Sequence, residues 1–377
     1  MPPPRVETVH FATNRNLVDE ASGTFGDHYN PDGPYCVRYG SADVEVAADP
    51  MDDSYQVLSV HVAPERLRGR DSPTSQEEVL GSTEVFNGLR RRMKERKADL
   101  LVLIHGFDCT FELALRRAAM LKVLYSTPGR PLEVAVFAWP SDGRTFLPKI
   151  SSGFRLAYFN DRTDAEASRE ALARALRRLI SFLKNLPPDE ACDGRLHLLA
   201  HSMGNYVLRW ALQSFGRDHP SPLGMPRVFQ NIFLMSSDED DDAFDTPLKF
   251  GRLHELGVHL HLYYALRDVA LGISDATKGN ADRLGTAGPR SLSNLPHRLT
   301  LVDCTDVSDV PGLGDGFHQF YRARPEVIAD AQSVLAGVRP DRVPHRELMQ
   351  AQRAYRITPE AERPRPAAAR RPRRAAP

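Results

Sequence analysis

Runs of consecutive apolar residues alternate with amphipathic stretches along most of the chain. We interpret six apolar runs as buried strands: LLVLIHG (100–106), EVAVFAW (133–139), LHLLA (196–200), VFQNIFLM (228–235), VHLHLYYA (258–265) and RLTLVDC (298–304). The 3.6-residue apolar period predicts four helices, one before the first run and three between later runs: Glu84–Lys97, Phe111–Tyr125, Asp164–Asn185 and Met203–Phe215. Nearly continuous apolar strands that alternate with helices are typical of a mostly parallel sheet with helices on both faces. The sequence therefore predicts an α/β fold.

Shorter strand-like segments precede this region, at Thr8–Thr13, Tyr35–Val46 and Tyr55–Ala63, with turn-forming residues between them. We expect them to add strands to the same sheet. The predicted organisation is one α/β unit over residues 1–339, with N-terminal strands and a helix in 1–97 and the core in 98–339.

The C-terminal segment has a different composition. Residues 363–377 hold six Arg, four Pro and five Ala with no acidic residue. Such a sequence cannot build a core, so we expect a mostly disordered tail over residues 340–377. A tail of this kind is usually solvated, and the functional alternative is a weak electrostatic contact with an anionic membrane or nucleic acid.

Composition and charge narrow the classes of protein that fit. Hydrophobic residues make up 41% of the 377, enough for a sizeable core, and 49 basic residues balance 49 acidic ones. The balance argues against a nucleic-acid-binding surface, and no apolar run reaches the roughly 18–20 residues of a transmembrane helix. The N-terminus lacks the apolar region of a signal peptide, and four scattered cysteines suggest neither a disulfide framework nor a zinc site. We expect a cytoplasmic globular protein.

The most informative segment is LHLLAHSMGNYVLRWAL, residues 196–212. An apolar strand leads into Ala200, Ser202 and Gly204, and a helix begins at once. In a G-x-S-x-G nucleophile elbow, the serine lies on a strained turn between strand and helix. The residues two before and two after the serine must be small, and Ala200 here replaces the first glycine. The pattern predicts that Ser202 is a nucleophile; the alternative is a serine that only caps a helix.

A second segment, ending in Ile104-His105-Gly106-Phe107, fits the loop that supplies a backbone N–H to an oxyanion hole. The predicted donors are the N–H groups of Phe107 and Met203. His105 is expected to brace this loop rather than transfer protons.

These motifs resemble the α/β-hydrolase superfamily, and within it the chain is similar to a bacterial esterase/lipase-like family catalogued as a domain of unknown function. The resemblance spans roughly residues 6–336 and rests on FATNRN (11–16), VLIHGFDCTFELALRRAAML (102–121), FAWPSDG (137–143) and LLAHSMGNYVL (198–208). It implies an α/β-hydrolase fold and hydrolysis of an ester or related acyl bond.

A serine nucleophile needs a histidine base, which in this fold follows the serine and an acidic residue along the chain. Seven histidines follow Ser202: His219, His254, His259, His261, His297, His318 and His345. His259 and His261 alternate within a predicted strand, His297 precedes the last predicted strand, and His345 lies in the predicted tail. His318, in the glycine-rich loop GLGDGFHQFY, is the predicted base.

The acidic partner is predicted to be Asp268, which follows the strand at 258–265. The resemblance also implies an aspartate there. Asp238, after the strand at 228–235, is the alternative. Three more aspartates are more typical of turns and caps: Asp303, Asp306 and Asp309.

Two further features suggest chemistry less strongly. The acidic run at residues 238–242 lacks the spacing of an EF-hand loop, and we interpret it as a solvated helix N-terminus. Cys109 is expected to be a small buried apolar residue. We expect no metal and no cofactor.

The predicted function is a serine hydrolase that cleaves a small-molecule carboxylic ester, or related acyl bond, through an acyl-enzyme. The alternatives are an acyltransferase with the same triad and a catalytically idle binding module. Aromatic residues over 139–163 form either a substrate cover or ordinary packing: Trp139, Phe146, Phe154, Tyr158 and Phe159.

Overall fold

A computed structural model describes residues 5–65, 79–141, 152–187, 190–218, 224–268, 270–271, 282–293, 295–308 and 318–359. Within these residues, eleven strands form one sheet. They are β1 (Val6–Thr13), β4 (Arg38–Glu45), β5 (Gln56–Val62), β6 (Asp99–Ile104), β7 (Leu132–Ala138), β8 (Leu196–His201), β9 (Phe229–Met235), β10 (Gly257–Tyr264), β11 (Leu299–Asp303), β12 (Arg346–Met349) and β13 (Ala354–Ile357). A separate two-stranded ribbon, which the sequence did not predict, joins β2 (Arg15–Asp19) to β3 (Thr24–Tyr29).

The strand order is β12-β13-β11-β10-β9-β8-β6-β7-β1-β4-β5. In this order, every pair of neighbouring strands between β1 and β13 is parallel. At the two edges, β4 is antiparallel to β1, β5 to β4 and β12 to β13. This arrangement confirms the predicted, mostly parallel α/β sheet. The early segments join it as β1, β4 and β5.

Helices cover both faces of the sheet. They are α1 (Gly81–Arg96), α2 (Phe111–Tyr125), α3 (Ser152–Ala167), α4 (Arg169–Lys184), α5 (Gly204–Asp218), α6 (Leu284–Ala287), α7 (Phe320–Ala323) and α8 (Pro325–Leu335). Apolar side chains of α1, α3, α4 and α5 form the core on one face, and those of α2, α7 and α8 form the core on the other. None of the helices in the described part of the chain is long and apolar enough to cross a membrane.

The predicted helix Asp164–Asn185 is two helices that meet at Ser168. The Ser168 hydroxyl donates to the Asp164 carbonyl at 2.8 Å and accepts from Asn14 Nδ2 at 3.1 Å. A side chain that follows β1 thus fixes the break, and no local pattern in the helix encodes that contact. The first helix, α3, occupies part of the segment that we expected to be a connection.

The predicted tail begins too early. β13 pairs with β11 in parallel, with Leu301 opposite Ala354, and β12 pairs with β13. Ala354 and Ile357 are fully buried. The boundary at Pro340 is therefore wrong, because the Arg- and Pro-rich composition of residues 363–377 does not extend that far upstream. Residues 360–377 lie outside the described part of the chain.

Candidate active site

Ser202 lies in the turn between β8 and α5 with a backbone φ of 53°. A non-glycine residue in this left-handed region costs about 1–3 kcal/mol, and the conformation persists only where the surroundings impose it. The Ser202 N–H donates to the Met235 carbonyl on β9 at 3.0 Å, and the Ser202 carbonyl accepts from Asn205 Nδ2 at 3.1 Å. The surroundings therefore hold the serine in a strained turn, as the motif predicts.

Close backbone approach explains the small residues of the motif. A Cβ atom on Gly204 would lie 2.5 Å from the carbonyl oxygens of Ile104 and His105, so helix α5 and the end of β6 meet at this glycine. Ala200 is fully buried, and its carbonyl accepts from Asn205 Nδ2 at 3.0 Å. Sequence reasoning assigned no role to Asn205, whose side chain ties the strand to the turn.

The loop after β6 touches the serine turn. A Cβ atom on Gly106 would lie 2.8 Å from the Ser202 Cβ atom. Phe107 follows Gly106, and Met203 follows Ser202, so the backbones that carry their N–H groups lie beside each other. This proximity is what an oxyanion hole formed from these two loops requires.

His105 is packed into this loop. Its ring stacks on Trp139 with 5.2 Å between centroids, and its carbonyl accepts from Trp139 Nε1 at 2.9 Å. Burial lowers the pKa of His105 to about 3, so the ring is neutral near pH 7. The contacts agree with a bracing role.

His318 and Asp268 lie together. His318 Nδ1 is 2.7 Å from Asp268 Oδ2, and both side chains are largely buried. The other Asp268 oxygen, Oδ1, accepts from the Leu271 N–H at 3.1 Å. Asp268 follows β10, and His318 precedes α7, so two loops at the carboxyl edge of the sheet bring them together.

His201 links this pair to the serine turn. Its Nε2 is 3.3 Å from the His318 carbonyl oxygen, and the two rings lie 4.7 Å apart between centroids. The Ser236 hydroxyl donates to the same carbonyl at 3.3 Å. The residue next to Ser202 therefore contacts the residue that carries the candidate base.

The alternative carboxylate, Asp238, has a different neighbourhood. Its Oδ2 accepts from the Tyr158 hydroxyl at 2.7 Å, and its Oδ1 is 3.8 Å from Arg283 Nε. Its backbone N–H donates to the Ser202 carbonyl at 3.3 Å. Asp238 thus lies close to the serine turn, with its carboxylate engaged by Tyr158. Asp303 accepts from Thr305 and pairs with Arg356, in agreement with a turn-forming role, and Asp309 lies outside the described residues.

The acidic run at residues 238–242 is not a solvated helix N-terminus. Its carboxylates are paired with cations outside the run: Asp240 with Lys249 at 2.9 Å, Asp241 with Arg290 at 2.6 Å and Glu239 with Arg209 at 3.4 Å. Three of its five side chains are buried: those of Asp238, Glu239 and Asp241. The sequence pattern could not indicate these ion pairs, because the cations lie outside the acidic run.

Sequence reasoning also missed Arg15, in the FATNRN segment. This side chain is buried, and its Nη2 donates to the Cys109 carbonyl at 2.6 Å, while Nη1 donates to the Gly26 carbonyl at 3.1 Å. Arg15 thereby ties the ribbon to the loop after β6. Cys109 is itself fully buried, as predicted.

Two of the aromatic residues considered as a cover are packed inside the protein. Trp139 and Tyr158 are buried, whereas Phe159 is exposed. Phe146 and the side chain of Phe154 lie outside the described residues. The buried pair therefore favours ordinary packing for those two positions.

Comparison with known proteins gives distant similarities. A chain described as a cell surface hydrolase from Lactobacillus plantarum WCFS1 is 12% identical, with a TM-score of 0.35 over 68% of this chain and 98% of that one. A variant of the rice cell wall degrading esterase LipA from Xanthomonas oryzae is 12% identical, with a TM-score of 0.25 over 88% of this chain and 87% of that one. A curated relative from Methanosarcina mazei, described as an ABC transporter ATP-binding protein, is 28% identical over 130 residues. That alignment covers 33% of this chain and 22% of the relative's length.

A family model matches residues 82–339, which is more than half of the chain and includes the serine turn, Asp268 and His318. Its description is "Alpha/beta hydrolase of unknown function (DUF900)". The chain belongs to this family of α/β-hydrolases.

Proposed function

We propose that the protein is a serine hydrolase that cleaves a carboxylic ester of a small molecule, with Ser202 as nucleophile, His318 as base and Asp268 as the acid that orients it. The observation that carries the proposal is the 2.7 Å contact between His318 and Asp268 beside a serine held at a positive φ. A buried histidine–carboxylate pair next to a strained serine is the arrangement that activates a hydroxyl for acyl transfer.

The proposed reaction has two steps. His318 takes the proton of Ser202 as the serine oxygen attacks the ester carbonyl, and the protonated imidazole then gives this proton to the leaving alcohol. In the second step, His318 takes a proton from water as the water oxygen attacks the acyl carbonyl. The protonated imidazole then returns this proton to the Ser202 oxygen as the bond between serine and acyl group breaks and the acid leaves. Asp268 accepts a hydrogen bond from His318 Nδ1, which directs Nε2 toward the serine and stabilises the imidazolium.

The backbone N–H groups of Phe107 and Met203 are the proposed donors to the oxyanion of the tetrahedral intermediate. Support comes from the contact of Gly106 with Ser202, which leaves no room for a side chain between the two loops. A fixed donor at such a position contributes about 2.7–4 kcal/mol to lowering the barrier.

The proposal is tested by labelling the folded protein with a fluorophosphonate, which modifies activated serines. We expect labelling of the parent protein, with loss of labelling in Ser202→Ala and strong reduction in His318→Ala. Ser237→Ala is the matched control, because this serine is also fully buried near the site; it should be labelled like the parent. Labelling that persists in Ser202→Ala, or a folded parent that is never labelled, would refute the proposal.

Hydrolysis is then measured on p-nitrophenyl esters of increasing acyl length. Release of p-nitrophenol by the parent and not by Ser202→Ala would identify water as the acceptor. A single burst without turnover in water, followed by turnover on addition of an alcohol acceptor, would instead favour acyl transfer.

A further inference from the structure

A polar cavity of about 270 Å³ lies between the start of β4 and the helices α1 and α4. Its walls include Arg38 and Tyr39 of β4, Ser82 of α1, and Arg174 and Arg178 of α4. We call it the arginine pocket. None of its lining residues belongs to the proposed catalytic machinery.

Two of the arginines face the arginine pocket without a partner. Arg174 and Arg178 are one helical turn apart, so they project from the same side of α4. Among the described residues, neither makes a hydrogen bond or an ion pair. Both are half-buried, so two partly desolvated positive charges face the same cavity.

Tyr39 adds a hydroxyl donor to the arginine pocket. The side chain is 4% exposed, and its buried hydroxyl has no hydrogen-bond partner within the described part of the chain. A buried polar group left unsatisfied is unfavourable, so an acceptor that binds it is favoured. Burial raises the pKa of Tyr39, so the phenol keeps its proton and presents an O–H donor to an acceptor in the cavity.

The two carboxylates in the wall of the arginine pocket, Asp32 and Glu65, lie near Arg38. Arg38 lies 3.9 Å from Asp32 and 3.9 Å from Glu65. The three arginines and two acids give the wall a net charge of +1, and the arginines without a carboxylate partner are Arg174 and Arg178. A ligand that complements the arginine pocket carries negative charge on oxygen acceptors.

We propose that the arginine pocket binds the phosphate group of a small molecule. A phosphate presents several oxygen acceptors to guanidinium groups, which bind it through pairs of parallel hydrogen bonds, and one more oxygen can accept from the Tyr39 hydroxyl. A phosphate monoester has three free oxygens to share between two guanidinium groups and the Tyr39 hydroxyl, whereas a carboxylate has only two.

The arginine pocket is separate from the proposed catalytic serine. Tyr39 pairs with Ala12 on β1, and the same row of the sheet continues through β7 and β6 to Ala200 on β8. Four strand spacings separate the ends of this row, a distance of about 19 Å. A phosphate bound by Arg174 and Arg178 would therefore not occupy the position of the ester at Ser202.

The test is titration calorimetry of the full chain with inorganic phosphate and, separately, with glycerol 3-phosphate. We expect saturable binding of at least one of them by the parent and by Ser202→Ala. Tighter binding of glycerol 3-phosphate would identify a phosphate ester as the ligand class, and tighter binding of inorganic phosphate would identify the free anion.

Substitutions in α4 test whether phosphate binds in the arginine pocket. Arg174→Gln combined with Arg178→Gln should weaken phosphate binding by about tenfold or more, since charge-assisted hydrogen bonds are lost. Arg177→Gln, on the same helix but outside the pocket wall, is the matched control and should bind like the parent.

The Tyr39→Phe substitution distinguishes a role of the Tyr39 hydroxyl in phosphate binding from a role in the stability of the fold. It should weaken phosphate binding severalfold while leaving the thermal unfolding of the ligand-free protein unchanged or raised, because it removes an unsatisfied hydroxyl. Absence of binding to the parent, equal binding by the double arginine variant, or displacement of phosphate by the fluorophosphonate at Ser202 would each overturn the proposal.

Discussion

At the scale of single residues, the strain at Ser202 is maintained by contacts from three separate segments. The Met235 carbonyl on β9, the Asn205 side chain on α5 and Gly106 in the loop after β6 all meet the serine turn. The unusual backbone is thus imposed by tertiary structure. Its purpose in the proposed mechanism is to present the hydroxyl above the sheet.

The choice between the two candidate acids is testable. We expect Asp268→Asn to lower kcat for p-nitrophenyl ester hydrolysis by about 10³–10⁴-fold, because the partner of His318 Nδ1 is changed. Asp238→Asn should lower kcat less than about tenfold, since this carboxylate binds Tyr158. Unfolding curves of both variants show whether the comparison is made on folded protein. The opposite order of effects would assign the acid to Asp238.

The burial of Glu239 leads us to expect that the stability of the protein depends on pH. Burial raises the pKa of Glu239 to about 7, against 4.5 for an exposed glutamate, even though Arg209 and Arg162 favour the charged form. The folded state therefore binds a proton more tightly than the unfolded state. Its contribution to stability is present below about pH 4.5 and is lost as pH rises through 7.

We therefore expect Glu239→Gln to reduce the loss of stability between pH 5 and pH 8 by up to about 3 kcal/mol. Urea unfolding at a series of pH values measures this. The exposed Glu112→Gln is the control and should keep the pH profile of the parent. A Glu239→Gln profile that is parallel to the parent's would contradict the prediction.

The sequence reached the candidate site residues through their order along the chain and their positions after strands. It could not choose firmly between Asp238 and Asp268, because both follow strands that end at the same edge of the sheet. The contact with His318 depends on the path of two long loops, which have no local periodic signal. Arg15 and Asn205 were missed for a similar reason, since each acts by hydrogen-bonding to backbone elsewhere.

At the scale of elements, the contact between α5 and β6 depends on Gly204. Gly204→Ala would place a methyl group 2.5 Å from two backbone carbonyl oxygens, which cannot move as a side chain can. We expect this substitution to lower the free energy of unfolding by about 1–3 kcal/mol and to weaken fluorophosphonate labelling.

Gly88→Ala is the matched control for this change. Gly88 lies within α1, and an added Cβ atom would meet nothing within 4 Å. Since alanine is the better helix former, the control should raise stability by about 0.5–1 kcal/mol. Equal effects of the two substitutions in urea unfolding would exclude the close approach as the cause.

Some helix boundaries were predicted correctly from the sequence and others were not. The helix at Phe111–Tyr125 begins and ends where the sequence predicted, with Thr110 as a cap whose side chain accepts from the Leu113 N–H. The break at Ser168 was not predicted, because apolar periodicity continues through it. A helix cap can be predicted because it depends on neighbouring residues. The break at Ser168 cannot, because it depends on a contact with Asn14, which is far away in the sequence.

At the scale of the whole molecule, β12 and β13 belong to the sheet rather than to a disordered tail. Arg346 of β12 pairs with Asp330 of α8 at 2.6 Å, and both side chains are 1% exposed. Ending the chain at residue 339 would leave Asp330 without this partner and expose the edge of β11. We expect a loss of about 3–5 kcal/mol or insoluble protein.

Ending the chain at residue 359 is the matched comparison. It keeps both strands and removes only residues beyond the described part of the chain. Thermal unfolding and fluorophosphonate labelling should then equal those of the full chain. A stable, fully labelled protein ending at residue 339 would show that the two strands are dispensable.

From β8 to β11, position across the sheet follows position along the chain, whereas β5, β4 and β1 lie in reverse order at one edge and β7 lies between β1 and β6. A chain leaving the ribosome can therefore add β8, β9, β10 and β11 in order of synthesis to one growing edge of the sheet. β12 runs antiparallel to β13 and ends the series. Over these four strands, translation and assembly proceed in the same direction, and β13 then covers the edge of β11 that an earlier intermediate would expose to aggregation.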